Sequence, residues 1–299
     1  MDKDLKDLKI AIIGGDKRQA VIADRFVELG YDVRIFAVPM LCGIGNGTVS
    51  CMSVDKAMEG ADIVLLPLPV SRDNVNLFTG GERILLSDVV RIAVKYGSLI
   101  YGGMIPDDML RQCAALNLEV CDYYKSEDLQ RKNALPSAEG ALMLAMEHTD
   151  ITVKGMKALV CGYGRIGSLL SDMLCRLGAS VTVAARRDET LCEISCNGLR
   201  AVRIGNGGGE LAEEAGNCDV VFNTVPSIIF TERILKSFKK KPLYIEIASS
   251  PGGIDIPFAR GLGMEIVFAP SLPGKYSPIS AGKYIFETVY DSLKERGKL

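Results

Sequence analysis

"VCGYGRIGSLL", residues 160–170, ends an apolar run, turns on glycines and opens into a stretch of helical character. Gly162, Gly164 and Gly167 have the spacing G-x-G-x-x-G, with Arg165 and Ile166 between the last two. In this spacing the first glycine permits a tight turn and the second lets backbone approach a pyrophosphate. The third lets the helix pack on the strand. Free N–H groups and a partial positive charge at the helix start then face the anion. A strand, a turn and a helix in this order predict a dinucleotide site.

The next strand, in "SVTVAARRDE" (180–189), chooses between cofactors. An NAD site commonly ends this strand with a carboxylate that accepts from the ribose hydroxyls. Here Ala185 stands there and Arg186 follows, with Asp188 and Glu189 opening the next helix. A 2′-phosphate would be repelled by a carboxylate and held by a guanidinium, so the expected cofactor is NADP. Further along, "NTVPS" and "ASSPGG" end two later strands. Their residues Thr224, Val225, Pro226, Ala248 and Ser249 are small or compact enough for backbone to approach the nicotinamide end.

Working outward, both halves of the 299-residue chain alternate strand-like apolar runs with helical stretches, as parallel α/β folds do. The first half reads "LKIAIIGGD", "YDVRIFAV", "ADIVLLPLP", "GSLIYGG" and "LEVCDYY". The second reads "MKALVCGYG", "SVTVAAR", "LRAVRI", "CDVVFNTVP", "PLYIEIASS" and "MEIVFAPS". The expected fold is α/β, with two Rossmann-like parallel-sheet domains separated by a cleft and joined by crossover helices. The expected divisions are a substrate domain over 1–135 and an inter-domain helix over 136–150. An NADP domain follows over 151–275, and a C-terminal helix over 276–299 returns to the first domain. Pro136 is placed in the first turn of the inter-domain helix, with Ser137 and Glu139 at its positive end.

"IIGGDKRQA" (12–20) echoes the glycine turn without its spacing, and Asp16 would repel a pyrophosphate. Asp16, Arg18 and Gln19 at a helix start suit a small anionic substrate instead. The single histidine, His148, is assigned a structural place at a helix end.

The bulk numbers exclude several functions. With 35 basic and 37 acidic side chains there is no net field to draw nucleic acid or an anionic membrane. No run approaches the roughly 20 apolar residues of a membrane span. The charged start "MDKDLKDLK" is not read as a signal peptide. The nine cysteines include no CxxC pair, and no carboxylate–histidine cluster suggests a metal. Cys51, Cys113, Cys121, Cys161, Cys175 and Cys218 read as small buried thiols, which suits a reducing cytoplasm.

"GGDKRQ", "NALPSAEGALMLAMEHTD", "GYGRIG" with "AAR", "NTVPS", "ASSPGGID" and "SLPGKYSPISAG" occur in this order over nearly the whole chain. Together they resemble the A subunits of bacterial dipicolinate synthases; more distantly, the layout is similar to alanine dehydrogenase and adenosylhomocysteinase. The resemblance implies an NADP-linked oxidation of dihydrodipicolinate, or its hydrated tetrahydro precursor, to dipicolinate during sporulation. It also implies a partner (the flavoprotein-like B subunit of the same synthase), a small dicarboxylate substrate, a homo-oligomer and the mother-cell cytoplasm. Carried over by position, Asp16, Arg18, Gln19, Asn133, Ser137 and Glu139 belong to the substrate and catalytic motifs. Arg165 and Arg186 belong to the cofactor half. The alternatives are an amino- or imino-acid dehydrogenase of the alanine dehydrogenase type and an NADP-binding sensor or scaffold.

Overall fold

The computed structural model describes residues 8–205 and 208–298. Most of the charged start therefore lies outside the described residues. The chain divides into two compact units, residues 1–133 with 273–299, and residues 134–272.

In the first unit the order is β1 (Lys9–Ile13), α1 (Lys17–Glu28), β2 (Asp32–Phe36), β3 (Val49–Ser50), α2 (Val54–Met58) and β4 (Ile63–Leu65). It continues with α3 (Leu86–Tyr96), β5 (Leu99–Gly102), α4 (Asp107–Ala115) and β6 (Val120–Asp122). Helix α5 (Glu127–Glu147) then crosses into the second unit. There follow β7 (Lys157–Cys161), α6 (Arg165–Arg176), β8 (Ser180–Ala185), α7 (Asp188–Cys196), β9 (Arg200–Arg203) and α8 (Gly209–Ala215). Next come β10 (Val220–Asn223), α9 (Glu232–Leu235), β11 (Leu243–Glu246), α10 (Ile256–Gly261) and β12 (Ile266–Phe268). The chain ends with α11 (Leu272–Tyr276) and α12 (Pro278–Glu295).

Each unit has one six-stranded sheet, in the orders β3-β2-β1-β4-β5-β6 and β12-β11-β10-β7-β8-β9. Every pairing between these strands is parallel. Helices cover both faces, so β1, β4 and β7 are near-continuous apolar runs rather than alternating ones. Strand order reverses direction between β1 and β4, and again between β7 and β10. Crevices at the carboxyl ends of such strand pairs are where open α/β sheets take ligands. The two-residue strand β3 escapes the sequence reading because it is too short to show a period.

Helix α12 packs in the unit of the N-terminal residues, burying Ile285, Val289 and Leu293 in the same core as Phe26. Its contact with α1 needs Gly282, where a Cβ would lie 2.7 Å from that of Val21 and 2.9 Å from the Arg18 carbonyl oxygen.

Two expectations are corrected here. Helix α5 begins at Glu127, not at Pro136, which lies inside it. Ser126 caps it by accepting from the Leu129 amide at 3.3 Å, and Glu127 and Asp128 supply negative charge to the first turn. A proline inside a helix forfeits a hydrogen bond and costs about 3 kcal/mol in isolation. Burial of Ala134, Pro136, Ala138, Ala141, Leu144 and Ala145 offsets that cost. Of the cysteines read as buried, Cys113, Cys161 and Cys218 are so, whereas Cys51 and Cys121 are half-buried and Cys175 is exposed. Position beside an apolar run does not tell which face of the element a residue occupies.

Candidate functional site

In the second unit the glycine turn joins β7 to α6. Gly162 has φ +95°, and a Cβ there would collide with the Thr224 hydroxyl. A Cβ on Gly167 would collide with the Gly162 carbonyl oxygen, so only glycine lets α6 start this close to the turn. Thr224 locks the underside, its Oγ1 donating to the Cys161 carbonyl at 2.8 Å. Gly164 occupies the N-cap of α6 with no side-chain cap, and nothing lies within 4 Å of where its Cβ would be. The start of α6 is therefore open on the side where Gly164 has no side chain. An anion fits there without displacing protein atoms.

Beside this turn lies a hollow of about 410 Å³, lined by Gly162, Gly164, Ala185, Arg186, Arg187 and Val225 among others. Among the described residues, none that lines it is acidic. The nearest candidate acid in sequence, Asp188, is ion-paired with Arg203, whose other terminal nitrogen donates to the Arg186 carbonyl at 3.1 Å. The arrangement sets two arginines, Arg186 and Arg187, beside the uncapped start of α6.

The echo of this turn in the first unit is built differently. Asp16 caps α1, its Oδ1 accepting from the Arg18 amide at 3.1 Å. The same carboxylate takes Arg18 Nε at 2.9 Å and one terminal nitrogen at 2.8 Å. That nitrogen also donates to the Leu68 carbonyl. Arg18 is 3% exposed and Gln19 2%, and Gln19 Nε2 is buried without a hydrogen-bond partner among the described residues. Backbone of α11 lies against the pair at Gly274, where a Cβ would collide with Asp16 and come within 2.9 Å of Arg18 Nε. Tyr123 donates to the Leu66 carbonyl at 3.1 Å, and burial pushes its phenol well above the ordinary range. On α5, Asn133 and Ser137 stand one turn apart and buried, while Glu139 is exposed. His148 ends its helix tied to Glu265, with Nδ1 2.8 Å from Oε1. Among the described residues there is no group of side chains that could hold a metal ion.

Comparison with known proteins resolves the family. Residues 9–124 match the model of the N-terminal domain of the dipicolinate synthase A subunit. The A subunit of dipicolinate synthase from Bacillus subtilis (strain 168) is 30% identical over 293 residues, covering 97% of each chain. The chain belongs to the family of dipicolinate synthase A subunits. The crystal structure of the family member from Bacillus halodurans has a TM-score of 0.84 at 27% identity, covering 97% of this chain and 99% of that one. An L-alanine dehydrogenase shares the fold at 15% identity and a TM-score of 0.63, covering 97% of this chain and 91% of the other.

In this member of the dipicolinate synthase family, Gly162, Gly164, Arg165, Ile166 and Gly167 gather at the α6 start. Arg186 and Val225 line the hollow beside them. Asp16, Arg18 and Gln19 form a second group at the α1 start, in the other unit. Ala248 and Ser249 follow β11, and Thr224 to Pro226 follow β10.

What the sequence reading missed is how these last two loops are joined. Glu246, 5% exposed, accepts from Asn223 Nδ2 at 2.7 Å and from the amides of Ala248 at 3.2 Å and Gly253 at 2.8 Å. The Tyr244 hydroxyl donates to it at 3.3 Å, and burial together with Glu246 raises the Tyr244 pKa well above its usual value. Asn223, fully buried, also donates to the Val225 carbonyl at 2.9 Å and accepts from its amide at 3.2 Å. One buried carboxylate thus ties the loops after β10 and β11, and its partners meet its lone pairs. The signal was available: Glu246 and Asn223 are polar residues inside apolar runs. No helix among the described residues is long and apolar enough to cross a membrane.

Proposed function

We propose that this chain is the NADP-dependent oxidoreductase component that oxidises dihydrodipicolinate, or its hydrated tetrahydro precursor with loss of water, to dipicolinate. The observation that carries the cofactor half is the acid-free hollow beside the glycine turn, with Ala185 where an NAD site has its carboxylate and Arg186 next to it. The α6 amides and Gly164 receive the pyrophosphate, and Arg186 receives the 2′-phosphate. Bound NADP supplies the hydride acceptor. Thr224, Val225 and Pro226 after β10, with Ala248 and Ser249 after β11, form the floor for the nicotinamide end, kept in register by Glu246.

The substrate side is read at the α1 start. Asp16 and the Leu68 carbonyl fix the Arg18 guanidinium through Nε and one terminal nitrogen, and the other terminal nitrogen presents its N–H groups to a substrate carboxylate. Gln19 Nε2, buried with no partner among the described residues, is a second donor for the same group. Asn133 and Ser137 supply further hydrogen bonds, and Asp16 or Glu139 accepts the ring proton lost on aromatisation. The relatives are named as one component of a multi-component synthase, which supports work with a second, flavoprotein-like B subunit. The same reading puts the chain in the mother-cell cytoplasm during sporulation, as a homo-oligomer.

The test supplies the substrate, with and without a candidate partner protein, and follows reduced nicotinamide together with the aromatic ultraviolet absorption of the product. Both should rise together with NADP, and at least ~10-fold more slowly with NAD at equal concentration. Reduced cofactor without an aromatic product would replace this reading with the alanine dehydrogenase type. No reduction in either mixture would leave a sensor or scaffold.

A further inference from the structure

A second hollow, of about 440 Å³, lies in the same unit and shares Arg186 and Ile204 with the one beside the glycine turn. Its apolar wall comes from Leu211, Ile228, Ile229 and Ile234, and a second guanidinium, that of Arg233 on α9, lines it. No acidic residue lines either hollow among the described residues. A negative group entering here meets arginines from two separate elements and an apolar wall.

Arg233 is also well anchored for a residue on so short a helix. Its neighbour Ile234 fills the space over Gly208, where a Cβ would lie 2.6 Å from Ile234 Cδ1. Leu235 is buried in the core, and the amides of Ile229 and Phe230 both donate to the Gly253 carbonyl at 2.9 Å. The turn that carries Arg233 is thereby fastened to α8 on one side and to the loop after β11 on the other.

We infer that Arg233 is a second determinant of cofactor choice, contributing with Arg186 to a clamp on the 2′-phosphate. The inference rests on the NADP reading above. A phosphate monoester carries nearly two negative charges at neutral pH, so a single guanidinium leaves part of that charge uncompensated. A second guanidinium lining the same hollow supplies the rest.

The test is calorimetric and needs no turnover. Adenosine 2′,5′-bisphosphate and adenosine 5′-monophosphate are titrated into the full chain and into Arg233→Ala, Arg233→Lys and Arg186→Ala. Arg176→Ala, which removes an arginine paired with Asp172 on α6, is the charge control. Wild type should prefer the bisphosphate. Arg233→Ala should weaken the bisphosphate ~10-fold or more and the monophosphate less than ~2-fold, with Arg233→Lys in between and Arg176→Ala unchanged. Unchanged bisphosphate affinity in Arg233→Ala, or equal losses for both ligands, would overturn the clamp. If Arg186→Ala erased the wild-type preference while Arg233→Ala left it intact, this inference would fall and the NADP reading would stand. Equal wild-type affinities for the two ligands would remove both.

Discussion

The turn after β1 and the turn after β7 stand at the same place in their sheets, each beside the reversal of strand order, yet they use glycine differently. After β1, Gly14 and Gly15 make room for protein. The Phe78 carbonyl accepts from the Gly15 amide at 2.7 Å and would lie 2.7 Å from a Cβ on Gly14. The helix start is then filled from within, by the Asp16 carboxylate. After β7, Gly162 and Gly167 also pack against protein, but Gly164 faces open space and α6 has no side-chain cap. A helix start either has its first amides met by its own side chains or leaves them to water or a ligand. The first turn has taken the former course and the second the latter.

Removing the internal cap should have the largest effect. Asp16→Ala takes away the α1 cap and leaves the guanidinium of Arg18 buried beside one carbonyl. Breaking a buried pair from one side costs about 3 kcal/mol or more, which a urea melt would register. NADPH affinity should stay within ~2-fold, because the glycine turn proposed to hold it is in the other unit. A parallel loss of NADPH affinity would mean that the two turns are not independent.

Giving the second turn the first turn's device is the subtler change. Gly164→Asp places a capping carboxylate at the α6 start, where space is open. Aspartate is better than glycine at this position by only a few tenths of a kcal/mol, so the melting midpoint should rise slightly or hold. NADPH affinity should nevertheless fall ~10-fold or more, because the new charge sits where the pyrophosphate belongs. A variant that binds NADPH as wild type does would show that α6 does not receive the anion.

Both sheets were legible in the sequence because parallel strands buried on both faces appear as unbroken apolar runs, and the glycine turn was legible because its spacing is set by backbone sterics. Pro136 misled because a proline signals a helix start through its missing N–H, while tertiary burial can hold the same residue mid-helix. The Asp16–Arg18 pair was visible as residues but not as a pair. Both side chains were expected to face a ligand, and only the fold shows how much of each is spent on the other. The Glu246 hub was invisible to motif reading, since its partners come from four sequence positions and Asn223 is set beside it only by the β10–β11 pairing.

The most direct measurement is the titration of NADPH and NADH into the wild-type chain and into Arg186→Ala. Wild type should bind NADPH at least ~10-fold more tightly, and Arg186→Ala should cut that affinity ~10-fold while NADH changes less than ~2-fold. Equal affinities in wild type, or equal losses in the variant, would contradict the assignment of the acid-free hollow to a 2′-phosphate.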